Sequence, residues 1–331
     1  MKKNLLILMM ALFSAGVLSA QSGSVGIFGF SGGANNDNNT TIILGQAFAF
    51  QETNGGFELA AGAAEAQLEK GIYEKVTLTP DQSYDIPGWG TLTAPVTPGN
   101  YNVYKVHTDN FNYDSAWVYE IRILDCEGTV SDADGNDYDV VGVAGYCWTK
   151  SNLKALHYVD DNSDIPVALV YNIAPDNDEA ANLENYGRLY TWYSAVKVAE
   201  GSSDSPEEVD GYVQGICPAG WHIPTHEEMM ALKAKPAKEL KEVGTDYWLG
   251  PNDNDNASGF SARGAGKAII GGNPAFMTLR GWTDFWSVER NTLGEGEVLE
   301  MSHFCADPSI KNRNSNLGIS VRCVRTESDG E

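Results

Sequence analysis

Five cysteines constrain this chain more than any other feature, because of the compartment its N-terminus points to. Met1-Lys2-Lys3 is a short positive start. The apolar run Leu5 to Phe13 follows, then small residues at Ala15, Gly16, Ser19 and Ala20. That order is the pattern of a cleavable secretory signal over residues 1–20, cut near Ala20. The run is short for a hydrocarbon core of about 30 Å. No cysteine stands at the expected cut, so lipid attachment there is not indicated. An exported chain meets an oxidising compartment, so Cys126, Cys147, Cys217, Cys305 and Cys323 are expected mainly as disulfides with one thiol left over. None forms a Cys-x-x-Cys pair, which speaks against a zinc ribbon or a dithiol redox motif. Cys126 and Cys147 flank a turn at Asp134-Gly135-Asn136 and are candidates to pair.

The net charge of −23 repels nucleic acid and anionic lipid, both of which require basic patches. No later stretch reaches the roughly 18 apolar residues of a membrane span. Residues 21–72 alternate Gly-rich turns with short apolar runs and read as a β segment. Residues 73–125 hold four β-branched or aromatic runs between turns, as a small Ig-like β-sandwich would. Beyond 126 the character changes, and six of the eight tryptophans lie there. Each buries up to about 250 Å², so a large aromatic core is expected. Tyr186, Leu189, Tyr190, Tyr193 and Val196 fall at helical spacing. Thr225-His226-Glu227-Glu228 is a capping box, and Pro236 ends or bends the helix it starts. The tail 327–331 is acidic.

Several chemical motifs fail on inspection. His222 and His226 are four apart, but Pro224 intervenes and the helix starts only at Thr225, so the rings share no face. Met230 stands where a zinc protease needs its second His. Asp132 to Asp137 lacks the Gly and Glu positions of an EF-hand and fits a hairpin turn better. Gly264-Ala265-Gly266-Lys267 lacks the first Gly and the hydroxyl residue of a phosphate loop.

An ordered set of longer motifs carries a resemblance. They are Asp134-Gly135-Asn136-Asp137-Tyr138, Trp148 to Lys154, Tyr186-Gly187-Arg188-Leu189-Tyr190-Thr191-Trp192, Gly215 to Thr225, Ser258-Gly259-Phe260-Ser261-Ala262, Phe285-Trp286-Ser287 and Ser320-Val321-Arg322-Cys323-Val324. The set resembles the Fibrobacter succinogenes major paralogous domain, over about 126–326. Ser31-Gly32-Gly33, Gly45-Gln46 and Gly62-Ala63-Ala64 resemble the start of secreted β modules of Bacteroidetes-type bacteria. The first resemblance implies an α+β, C-type-lectin-like domain behind the small all-β modules. It also implies a Cys217–Cys323 disulfide, with Cys305–Cys323 as the rival pairing.

In that fold the variable face lies between the Phe-Trp-Ser strand and the last strand. The resemblance therefore makes Arg290, Asn291, His303, Lys311 and Arg313 ligand-binding candidates, with Trp282 as a platform for a sugar or peptide. No catalytic residue and no resident cofactor is expected. Asp253 and Asp255 in the Asn/Asp loop are calcium candidates. The expected function is non-enzymatic binding or adhesion, with a glycan or protein partner outside the cell. Secretion, the outer surface or the periplasm of a Gram-negative bacterium is the expected location. The alternative is a structural subunit or tip of a surface assembly. A third reading, an enzyme of the formylglycine-generating type, needs a cysteine pair where only Cys305 is spare.

Overall fold

The computed structural model describes residues 112–326 without a break. Before them it describes strand segments, with a few flanking residues, between 29 and 109. The expected signal 1–20 and the acidic tail 327–331 lie outside the described residues. The chain divides into two compact units, Met1–Asp125 and Cys126–Glu331. No helix among the described residues is long and apolar enough to cross a membrane.

In the first unit the strands are β1 (Gly29–Ser31), β2 (Thr40–Gly45), β3 (Ala49–Thr53), β4 (Gly56–Ala60), β5 (Tyr73–Leu78), β6 (Ser83–Ile86), β7 (Gly90–Thr93), β8 (Gly99–Asp109) and β9 (Asn112–Ile123). They form sheets ordered β2-β8-β9-β5 and β1-β7-β6, with the hairpin β3-β4. In that hairpin Thr53 pairs with Gly56. β1 and β2 come from 21–72 and pair with β7 and β8 from 73–125, so backbone ladders join the two stretches.

The second unit is β-rich with short helices. Its strands are β10 (Thr129–Ser131), β11 (Asp137–Val143), β12 (Tyr146–Thr149), β13 (Trp221–His222), β14 (Lys267–Ile269), β15 (Ala275–Met277), β16 (Trp282–Arg290), β17 (Glu295–Ser302), β18 (Ser309–Asn314), β19 (Leu317–Gly318) and β20 (Val324–Arg325). The sheets run β10-β11-β12-β20-β13, β15-β14-β19 and β16-β17-β18. The helices are α1 (Glu179–Tyr186), α2 (Trp192–Ala195), α3 (His226–Lys233) and α4 (Ala237–Leu240). The stripe from Tyr186 to Val196 is not one helix. Gly187 stops α1 at φ +71°, and a Cβ there would lie 2.8 Å from the Leu153 carbonyl oxygen. Leu189 and Tyr190 then bridge Leu169 and Ile319 in extended backbone before α2 begins. α3 starts as its sequence requires: the Thr225 hydroxyl accepts from Glu228 N–H and Glu228 reaches back to Thr225 N–H.

Alternation along β16–β18 divides the core. Phe285, Leu299 and Ile310 face the cluster of Trp148, Met229, Leu232, Leu240, Trp248 and Phe260. Trp286 and Gly296 lie on the other face against Trp192. A Cβ on Gly296 would come within 2.7 Å of the Trp286 ring and 2.8 Å of Trp192. Four fully buried indoles donate: Trp148 to Val143 O, Trp192 to Ser287 O, Trp248 to Ala262 O and Trp286 to Tyr190 O. Two disulfides close the unit, Cys126–Cys147 and Cys217–Cys323. Cys305 is free, and its Sγ donates to Ser302 O.

Cys217 and Cys323 stand 106 residues apart. A loop of that size restricts the unfolded chain by about 4–5 kcal/mol in the chain-entropy model. The double serine variant is expected to lose most of that in urea unfolding. A loss under about 1 kcal/mol would contradict a constraint acting through the unfolded state.

The turn at Asp134 is also a charge device. Asp134 Oδ1 meets His157 Nδ1 at 2.5 Å, and Oδ2 accepts from Leu156 and His157 N–H. Burial opposes the Asp134 charge, but these hydrogen bonds outweigh it and hold the pKa below the usual carboxylate value. The bond to Asp134 raises that of His157. The His157 contribution is therefore complete below the ordinary imidazole pKa of about 6.5 and is lost as pH rises through the higher folded value. The Asp134 contribution is present above the ordinary Asp pKa of about 3.9 and is lost as pH falls through the lower folded value. His157→Gln should flatten the near-neutral limb of a stability–pH curve, and an unchanged limb would rule the pair out as its source.

Candidate functional site

The residues expected to form a ligand face are mostly committed to the fold. The span 288–316 is largely β17 and β18, joined by short connections rather than long irregular loops. Arg290 donates to Ser202 O at 2.8 Å, and its guanidinium lies over Trp192 at 4.8 Å. Asn291 organises the β16–β17 turn, accepting from Leu293 and Glu295 N–H. Arg313 bridges Asp284 (3.1 Å) and Glu300, and Lys267 approaches the same Asp284 oxygen at 3.4 Å. Burial raises the Asp284 pKa against the pull of Lys267 and Arg313. Lys311, opposite Val298 on β18, is exposed.

Trp282 and His303 do come together. With Phe304 they form an edge-to-face trio, with centroids 5.3 Å apart for Trp282–Phe304 and 4.8 Å for His303–Phe304. In the Asn/Asp loop, Asp255 pairs with Lys238 at 3.1 Å and caps Ala257 N–H, while Asp253 is exposed. Among the described residues no three His, Cys, Asp or Glu side chains are grouped to hold a metal ion. The two histidines near α3 hold different acids. Buried His222 bonds Glu228 at 2.9 Å and Thr326 at 2.8 Å, whereas His226 reaches Glu297 at 2.8 Å.

A concave pocket of about 480 Å³ lies elsewhere. One wall is Asp137 and Asp139 of β11. Lys150, Ser151, Asn152 and Lys154 follow β12, and Glu184 and Asn185 come from α1. Glu242, Asn256, Ser261 and Arg263 complete the rim, with Arg322 beneath. None of these side chains is apolar.

Arg322 is 1% exposed. Its Nε donates to Asn152 Oδ1 at 3.0 Å, Nη1 to Phe260 O, and Nη2 to Ser261 O at 3.0 Å. The guanidinium lies 4.3 Å from the Phe260 ring centroid and 5.3 Å from that of Phe285. No carboxylate pairs with it among the described residues. Burial, together with the Arg263 charge, lowers its pKa to about 9. Ser261 adopts φ +55°, a conformation that costs an L-residue of order 1 kcal/mol. Bonds to Asn256 hold it there, from Ser261 N–H to Oδ1 and from Nδ2 to Ser261 Oγ, each 2.9 Å. Asn152 in turn donates to Tyr186 O and Ser320 Oγ. Two other cations of the lining are matched, Lys154 with Glu184 at 2.6 Å and Arg263 with Glu242 at 3.6 Å. Arg188, by contrast, is structural, donating to Lys154 O and Ala168 O.

The pocket escaped sequence reasoning because its lining comes from six separate stretches. The available signal was that Asn152, Ser261 and Arg322 each sit inside a motif of the ordered set.

A disulfide-closed, β-rich unit with a buried cation beneath a polar pocket is the class of domain these features define. The family model described as Fibrobacter succinogenes major domain matches residues 141–325, and the chain belongs to that family. No curated protein and no solved structure matches the chain.

Replacing Arg322 by Met would strand three buried acceptors, at about 1–3 kcal/mol each. Arg322→Met is expected to destabilise by at least about 3 kcal/mol, with Arg322→Lys intermediate because one ammonium cannot reproduce the fork. Urea unfolding measures both, and a methionine variant as stable as the parent would contradict the bonding described.

Proposed function

We propose that this chain is an exported, non-enzymatic binding protein whose second unit, a C-type-lectin-like domain, holds an extracellular ligand in the polar pocket. The pocket is the observation that carries the reading. Its volume lies in the range of ligand sites, and its lining offers charged, amide and hydroxyl groups suited to recognition. Family membership supports a surface or secreted protein, and the two disulfides are consistent with export to an oxidising compartment. Adhesion at the outer surface is the form of binding we favour, with the first unit as spacer.

A second reading, a subunit of a surface assembly, draws support from Leu293 and Phe304, which are 83% and 68% exposed. Multimers in size exclusion that dissolve on Leu293→Ser or Phe304→Ser would favour it.

The test is a glycan and host-protein array probed with the signal-free chain and with Ser151→Trp, which puts a bulky ring into the pocket lining. Binding that disappears in the variant is expected. Binding that persists would place the site elsewhere, and silence of both proteins would overturn the binding reading.

A further inference from the structure

We infer that the pocket takes a polyhydroxylated carboxylate, a sugar acid of the uronic acid class, with its carboxylate toward Arg322 and Lys150 and its hydroxyls on Asp137 and Asp139. The assignment rests on the pocket being the binding site proposed above.

The cations of the pocket are unequally matched. Lys154 and Arg263 are each paired with a glutamate. Arg322 is held only by neutral acceptors, and the Lys150 ammonium has no ion-pair partner among the described residues. A buried cation without a counter-charge is costly, and an anion delivered to it recovers charge-assisted hydrogen bonds. A guanidinium has five N–H groups. Three of those on Arg322 have protein acceptors, so two are left for a ligand.

No lining side chain is apolar, so a hydrophobic ligand would lose its hydration and gain little. Asp137 and Asp139 alternate onto one face of β11 and meet no cation within ion-pair distance among the described residues. The Asp137 carboxylate accepts from Ser131 Oγ, which leaves it further acceptor capacity. Carboxylates of this kind accept from vicinal hydroxyls. An acid without hydroxyls leaves them unused, and a neutral sugar leaves Arg322 uncompensated.

With a net charge of −23 the protein repels anions at long range. That field is screened beyond about 8 Å at physiological salt. Selection of an acid must therefore come from groups inside the pocket, and large polyanions are disfavoured relative to single sugar acids or chain ends.

The test is calorimetric titration of the signal-free chain with D-glucuronate, its neutral methyl ester, D-glucose and L-glutamate. Glucuronate is expected to bind. The ester, glucose and glutamate should each bind at least about tenfold more weakly, the scale of one charge-assisted hydrogen bond. Lys150→Glu, at an exposed position, should weaken glucuronate by a similar factor with an unchanged circular dichroism spectrum. Asp139→Asn should narrow the gap between glucuronate and glutamate. Equal binding of glucuronate, ester and glucose, all abolished by Ser151→Trp, would overturn the acid assignment and leave the pocket as the site. No binding of any of the four, with array hits that persist in Ser151→Trp, would overturn both.

Discussion

Arg322 carries a full charge at 1% exposure, and its surroundings are arranged to tolerate that. Three oxygens from two distant stretches of chain point at its guanidinium, and two aromatic rings lie against it. Asn152 couples this fork to the end of α1 through Tyr186 O and to the last strands through Ser320. Cys323, the next residue, is tied by a disulfide to the stretch before β13. The hydrogen-bonded fork and the covalent link therefore act on adjacent residues. Together they hold the β12, α1, 258–262 and β20 regions around one point.

This explains why polar residues sit in the long motifs. Tryptophans supply the bulk of the core, but bulk alone does not distinguish one packing from another. A buried cation that needs three particular acceptors does, because any other arrangement strands either the charge or the carbonyls. Arg322 also lines the polar pocket, so the residue that organises the fold stands where a ligand would be met.

Features set by local chemistry were legible in the sequence. The capping box at Thr225 and the turn at Asp134-Gly135-Asn136 depend on a few adjacent residues, and both occur. The tryptophan core was legible because indoles of that size have few alternatives to burial. The Cys217–Cys323 link was not local, and only the resemblance implied it. The stripe from Tyr186 to Val196 misled because spacing carries no sign of close approach. Gly187 breaks the helix where the backbone of 152–153 passes against it. The pocket was illegible for a related reason. Asp139, Lys150 and Arg263 each look like solvated surface residues until the fold gathers them, and a buried Arg322 looks like any strand arginine.

Arg322 organises the second unit through its buried fork, and in the proposed complex it also meets the ligand. The most direct measurement is the Arg322 Nε–Hε resonance of the signal-free chain by NMR during titration with D-glucuronate. In the free protein the resonance should be sharp and slow to exchange with solvent, and it should shift on binding together with the amides of 150–152 and 261. A fast-exchanging Arg322 resonance in the free protein, or glucuronate-induced shifts confined to regions away from these residues, would contradict the claim.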